Sequence, residues 1–480
     1  MSIEPIGVVT VLVGLLVLYL GPNFGIYALT VSSLLGAAAV IKLPALGDAN
    51  IQPVHLILCF YVIAVASTRG GIRDGLRSLA FPGPGAWCAV FVLFCLMTAV
   101  LMPRIFEGET DVLSIARNDA GQGGFFLTPL MPRPSNITQS IYIAADLVLF
   151  AAVAAHAMGG ALPTIVRAVL VAAVFNLGFG VLDLATYSTG TSEIMSVIRN
   201  ANYGMQVGVA IGGIKRVAGS FTEASAFGGI TLLFFAFSVE LWLQKRFRSM
   251  AGPVALFSLF AIVLATSSST YVGLSIYCLL LWMRCAFSVL TTQANARKMA
   301  IAVMGPPTGL VLVIAIMLLP AAWDTVLEII NATLVNKLNT QSGIERWYWN
   351  ENGLRVFRET AMLGAGVGSV RTSSLIVGLL ANVGVVGFGL FIVFLASLGL
   401  AAMRSAGNAD TNAYITAASW AGFTLLISAI LAAPGVDLGL FFYMCAAIVS
   451  QAVLAPQQRR YRPVFVESVD RWREEGLYGA

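Results

Sequence analysis

From residue 5 to residue 454 the chain is a succession of apolar runs, each near the roughly 20 residues that a helix needs to cross a bilayer. About thirteen are readable, at 5–20, 24–41, 51–67, 85–102, 136–158, 162–187, 227–243, 252–266, 270–290, 298–319, 374–403, 413–431 and 436–454. Lipid offers no partner to a backbone N–H or C=O, so such runs fold as helices. Of the 480 residues 58% are hydrophobic and 11% charged, too little polar surface to cover a water-soluble globule of this size. The expected fold class is all-α: a polytopic helical membrane protein with about 12–13 transmembrane helices. The first run lacks a basic leader and a small-residue cleavage site, and is read as a membrane helix.

The net charge of +5 is small, and no Lys/Arg block points to nucleic acid. All six cysteines fall in apolar runs without metal-ligand spacing, and read as small buried hydrophobes. The basic runs RGGIRDGLR, QKRFR, NARK and QQRRYRP fall on one side of this arrangement, as does Arg404, which makes that side cytoplasmic. The C-terminus is then inside and the N-terminus outside. The expected organisation is transmembrane helices over 1–320, with external loops at about 103–135 and 188–222. A helical external loop over 321–373, C-terminal transmembrane helices over 374–455 and a cytoplasmic tail over 456–480 complete it.

In the third external loop Val326, Ile329, Ile330, Thr333, Leu334 and Leu338 recur near helical spacing, which predicts an amphipathic helix. Ser342 and Glu345 form a capping-box pattern that starts a second helix, ended by GAGVGS. Arg355 and Arg358 share a face of it with Glu351, either as a solvated ion-pair face or as guanidinium groups for phosphate oxygens. The glycine run reads as a turn; its spacing and its lead into a membrane span do not make a dinucleotide fingerprint.

The stretch KRVAGSFTEASAFGG closes the second loop and puts Lys215 and Arg216 on the outer side. Ser220 precedes Glu223 by three, so Glu223 is expected at a helix start as part of a capping box, with Thr222 a second cap candidate. Within the spans, His55, Asp146, His156, Arg167, Asp183 and Glu240 are ionisable, with Asp146 the deepest. Two histidines cannot build a His-rich metal site, and neither a metal nor another cofactor is expected.

The order of these features resembles the O-antigen ligase and Wzy-type polymerase superfamily, bacterial membrane glycosyltransferases of the GT-C kind. RVAGSF matches its Arg-x-x-Gly-x-Phe motif at Arg216, Gly219 and Phe221. Arg346, Trp349, Gly364, Gly366, Gly368, Ser369, Gly384 and Gly387 follow its late-loop progression. The match covers roughly 199–391. Where many members carry His-Asn after the glycine run this chain has RTSS, and no histidine follows His156. Together SFTEAS and GSVRTSS look nearer an exopolysaccharide polymerase subset.

The resemblance implies an enzyme of the bacterial inner membrane whose active site faces the periplasm. A polyprenyl-diphosphate-linked glycan donates its sugar chain to a hydroxyl of the acceptor repeat unit; the bilayer, a flippase and a chain-length regulator are the implied partners. Arg216, Arg355 and Arg358 are expected to hold the diphosphate, assisted by Lys215, Arg346, Arg371, Ser369, Gly366 and Gly368. Glu223 is the expected base, with Glu345, Glu351 and Glu359 as alternatives. Trp347, Tyr348 and Trp349 would either stack on sugars or belong to an interfacial belt. The rivals are ligase-type transfer to lipid A core or protein, and a secondary transporter or lipid-linked glycan flippase.

Overall fold

A computed structural model describes residues 2–461, except 44–48, 118–122, 203, 212–213, 293, 319–322, 325–326, 329, 332–340 and 405–407. Helices α1 (Pro5–Leu20), α2 (Pro22–Ser32), α3 (Pro53–Ala66), α4 (Gly71–Ser78) and α5 (Pro84–Ile105) lead into α6 (Pro134–His156) and α7 (Leu162–Ser188). Then come α8 (Ala224–Leu243), α9 (Arg248–Ala265), α10 (Ser268–Leu290), α11 (Ala296–Met317) and α12 (Gln341–Glu359). The last are α13 (Leu375–Ala402), α14 (Ala409–Ala432) and α15 (Leu440–Tyr461). Among the described residues seven helical segments are long and apolar enough to cross a membrane, or eight if the bent pair α3–α4 is one span. One of the seven, Pro134–Ser188, is α6 and α7 run together through a π-helical turn. The chain is thus an all-α polytopic protein.

Every predicted run is helical over most of its length except 24–41. There α2 stops after 11 residues, and the chain turns into strand β2 (Ile41–Leu43), which pairs with β1 (Ser2–Ile3) and β3 (Ala49–Ile51). The run is apolar because this turn is buried: Leu34, Ala37, Ala38, Ala39 and Val40 are all solvent-inaccessible. Hydropathy alone does not separate a buried turn from a buried helix. The amphipathic helix predicted within 321–338 lies largely outside the described residues, as does the tail after residue 461.

The loop between α5 and α6 holds a hairpin, β4 (Asp111–Arg117) with β5 (Gly123–Pro129), in antiparallel register from Asp111↔Pro129 to Arg117↔Gly123. It seats on α12, where Val112 and Leu130 pack with Val356, Ala365, Val370 and Ala381 in a small core.

Helix α8 runs through the middle of the bundle and packs on α9, α10 and α14. Small residues permit the close approaches, as is usual between membrane helices. A Cβ on Gly228 would stand 2.3 Å from Thr270, and one on Gly273 2.8 Å from Leu232. Asn176 Nδ2 donates to Thr231 Oγ1 across α7 and α8 at 2.9 Å. Most interior ionisable groups are partnered. Glu240 pairs with Arg284, and His156 hydrogen-bonds Tyr61 at 2.9 Å and Asn23 at 3.1 Å. Arg167 lies over the Phe247 ring at 5.6 Å.

Candidate active site

The RVAGSF segment is positioned by one buried carboxylate. Asp183 of α7 is 1% exposed, and its Oδ2 accepts the backbone N–H groups of Ala218 at 2.9 Å and Gly219 at 3.1 Å. Its Oδ1 takes the Arg199 guanidinium at 2.6 Å and also the Lys215 ammonium. Lys215 further donates to the Asp183 carbonyl at 3.0 Å. Burial pulls the Lys215 pKa below its usual value, and contact with Asp183 opposes that shift. Gly219 turns the chain at φ +57, where a Cβ would meet the Phe227 ring at 2.7 Å. Lys215 is therefore enclosed by the scaffold and does not line the arginine cavity described next, contrary to its expected role in binding.

With the loop held there, Arg216 points the other way. It lines a cavity of about 380 Å³ with Glu223, Glu345, Arg346, Arg371 and Asp437. Arg216 Nε is buried without a hydrogen-bond partner. Burial works against its charge and lowers its pKa; Glu223 opposes that shift, and Arg346 reinforces it. Arg346 Nη2 stands 4.0 Å from Glu223 Oε1, and the Arg371 guanidinium lies over the Trp349 ring at 4.7 Å. Three guanidinium groups from three separate chain segments thus converge, facing three carboxylates. Such a cavity carries donors for an anion and acceptors for hydroxyls side by side.

Glu223 occupies the N-cap position of α8 but makes no side-chain cap bond. The predicted capping box does not form, because the Ser220 hydroxyl donates to Leu34 O at 2.6 Å instead. Glu223 accepts from the Ser225 hydroxyl and keeps its carboxylate 38% exposed at the cavity. On the opposite wall α12 begins at Gln341, so Ser342 lies inside the helix and not before it. Both Ser342 and Glu345 line the cavity. The RTSS segment is tied down by Ser373 N to Asn350 Oδ1 at 2.8 Å and Thr372 N to Pro434 O at 3.2 Å.

Arg355 and Arg358 do not line this cavity. Nine residues beyond Arg346, Arg355 donates to Asp111 O at 2.8 Å and faces Glu359 at 3.5 Å, fastening the hairpin to α12. Arg358 is exposed and donates to Leu354 O of its own helix at 3.2 Å. The expected clamp therefore contains Arg216 without either of them. Helical spacing put the pair correctly on one face, but could not say which neighbour that face meets.

Gly366, Gly368 and Ser369 also lie outside the arginine cavity, Gly368 lining a neighbouring chamber, and the run packs closely against the bundle. Helix α13 breaks at Gly384, φ +64, freeing carbonyls that take Ala365 N at 2.8 Å and Gly366 N at 2.9 Å. A Cβ on Gly366 would stand 2.6 Å from Thr98 O, and one on Gly368 2.4 Å from Ser135 O. The Ser369 hydroxyl accepts from Asn136 Nδ2 at 2.8 Å.

Asp437 was missed as a site residue because it was counted inside the apolar run 436–454. Helix α15 starts only at Leu440, leaving Asp437 in a loop on the cavity wall, where its Oδ1 accepts Gly439 N at 2.5 Å. The PGVDLG punctuation was the available signal. Among the described residues no group of three or more His, Cys, Asp or Glu side chains is placed to hold a metal ion. Comparison with protein-family models and with curated proteins found no match to the chain.

Proposed function

We propose that the protein is a membrane glycosyltransferase that polymerises polyprenyl-diphosphate-linked oligosaccharide repeat units into a surface polysaccharide or exopolysaccharide. It works in a GT-C-like bundle of about 12 spans, facing the periplasm from the bacterial inner membrane. The observation that carries this reading is the convergence of Arg216, Arg346 and Arg371 on one cavity beside Glu223. All four residues belong to, or directly adjoin, the sequence motifs that resemble the polymerase and ligase superfamily.

In this reaction the acceptor hydroxyl oxygen attacks the anomeric carbon of the donor. The bond from that carbon to the diphosphate oxygen breaks, and the electron pair leaves with the diphosphate. The guanidinium groups stabilise the departing anion, a task they perform without a bound metal. Glu223 takes the hydroxyl proton.

The glycan profile of a strain lacking the gene tests the reading. Accumulation of single repeat units on the carrier supports a polymerase. Long undelivered polymer would assign the ligase reaction instead, and lipid-linked units trapped on the cytoplasmic side a flippase. A profile with none of these sinks the proposal.

A further inference from the structure

Behind the arginine cavity lies a second chamber of about 550 Å³, within the roughly 300–1,000 Å³ of cavities that enclose small-molecule ligands. The two chambers share Arg371, Pro434, Asp437 and Leu438 as walls, so they adjoin at Asp437. The second chamber is walled by α3, α6 and the loop before α15.

Its polar lining differs in kind. Asp146 is 1% exposed, and its Oδ2 has no hydrogen-bond partner. A buried carboxylate oxygen left unsatisfied is costly unless a ligand or water supplies a donor. Asp437 is its hydrogen-bonding neighbour in the same chamber, and Arg371 stands on the wall shared with the arginine cavity. Gln52 and Gln139 add amide donors and acceptors. The His55 ring stacks on Tyr142, 4.7 Å between centroids at 22°, forming a flat aromatic wall. Acceptors for O–H groups, amides that bond either way and a flat ring surface together suit a neutral polyhydroxylated ring.

We propose that this chamber binds the terminal sugar of the acceptor glycan, with Asp146 and Asp437 accepting hydrogen bonds from its hydroxyls while the donor diphosphate occupies the arginine cavity. The inference rests on the transferase reading. It makes Asp437 the boundary between the sugar that attacks and the diphosphate that leaves, and makes Asp146 a determinant of acceptor choice.

The test uses the full chain in nanodiscs, with lipid-linked repeat units from the deletion strain as donor. The probe is the same glycan freed from its carrier by mild acid, which keeps the acceptor hydroxyl and has no diphosphate. Asp146→Asn, which keeps the side-chain shape, and Gln139→Ala, on the same wall, are each expected to raise the KM for the free glycan by about tenfold or more. With the free glycan saturating as acceptor, the KM for the lipid-linked donor is expected to stay in place. An unchanged free-glycan KM in both variants overturns the subsite, as does a shift confined to the donor. So does a wild-type protein that couples lipid-linked units yet is neither fed nor inhibited by the free glycan. A wild-type protein that couples no lipid-linked units fails the transferase reading itself, which keeps the two failures apart.

Discussion

Arg346 Nη2 faces Glu223 Oε1 at 4.0 Å across a cavity that also takes in Arg216. Replacing Glu223 with Gln keeps the shape and removes the base. Turnover by abundant, folded protein is expected to fall by about 10²–10⁴-fold. Normal turnover in E223Q would remove Glu223 from the mechanism.

Arg216→Lys keeps the positive charge and loses the planar fork. If that fork binds diphosphate in two-point contact, turnover should drop by about tenfold to a hundredfold with membrane abundance unchanged. A lysine variant with wild-type rate would mean that charge alone suffices there.

Asp183 holds two cations and two backbone N–H groups in a buried setting. Asp183→Ala leaves Arg199 and Lys215 buried without their anion, a type of change that costs about 3–5 kcal/mol. Thermal unfolding in detergent should show a marked loss. Adding Lys215→Met should return part of the lost stability; no recovery in the double variant would argue against the pairing as the cause.

Arg355→Ala tests the displaced half of the expected clamp. Its guanidinium fastens the β4–β5 hairpin through Asp111, so faster proteolytic cutting of the hairpin is expected, with turnover within about threefold of wild type. A hundredfold loss of turnover with the hairpin still protected would return Arg355 to the site.

Within the glycine run, Gly366→Ala and Gly368→Ala each force a Cβ onto a backbone carbonyl at positive φ. The left-handed conformation alone costs an alanine about 1–2 kcal/mol, so both variants should be less stable. Gly389, a glycine inside α13 with open space where its Cβ would lie, should accept Ala at no loss. Comparing unfolding temperatures of the three separates crowding from simple removal of glycine.

Helix positions were legible because hydropathy is a local property: α1 matches its run residue for residue, and α8 and α10 match theirs to within three residues at each end. The short sheets and the buried turn after α2 were not, since burial makes any segment apolar whatever its backbone does. At the site, Arg216 stood out as a cation on the side where positive charge is not the default, whereas Arg346 and Arg371 came from the resemblance and Glu223 from its place at a helix start. Their meeting, and the exclusion of Lys215, Arg355 and Arg358, depended on contacts between segments far apart in sequence. One carboxylate, Asp183, decided which cation of the KR pair faces inward.

Both walls of the arginine cavity are fixed to the bundle, one by Asp183 and the other by the RTSS ties to Asn350 and Pro434. The guanidinium array is therefore preorganised. The cost of gathering like charges is met during folding, and the field that an anion would meet in the cavity stands before it enters.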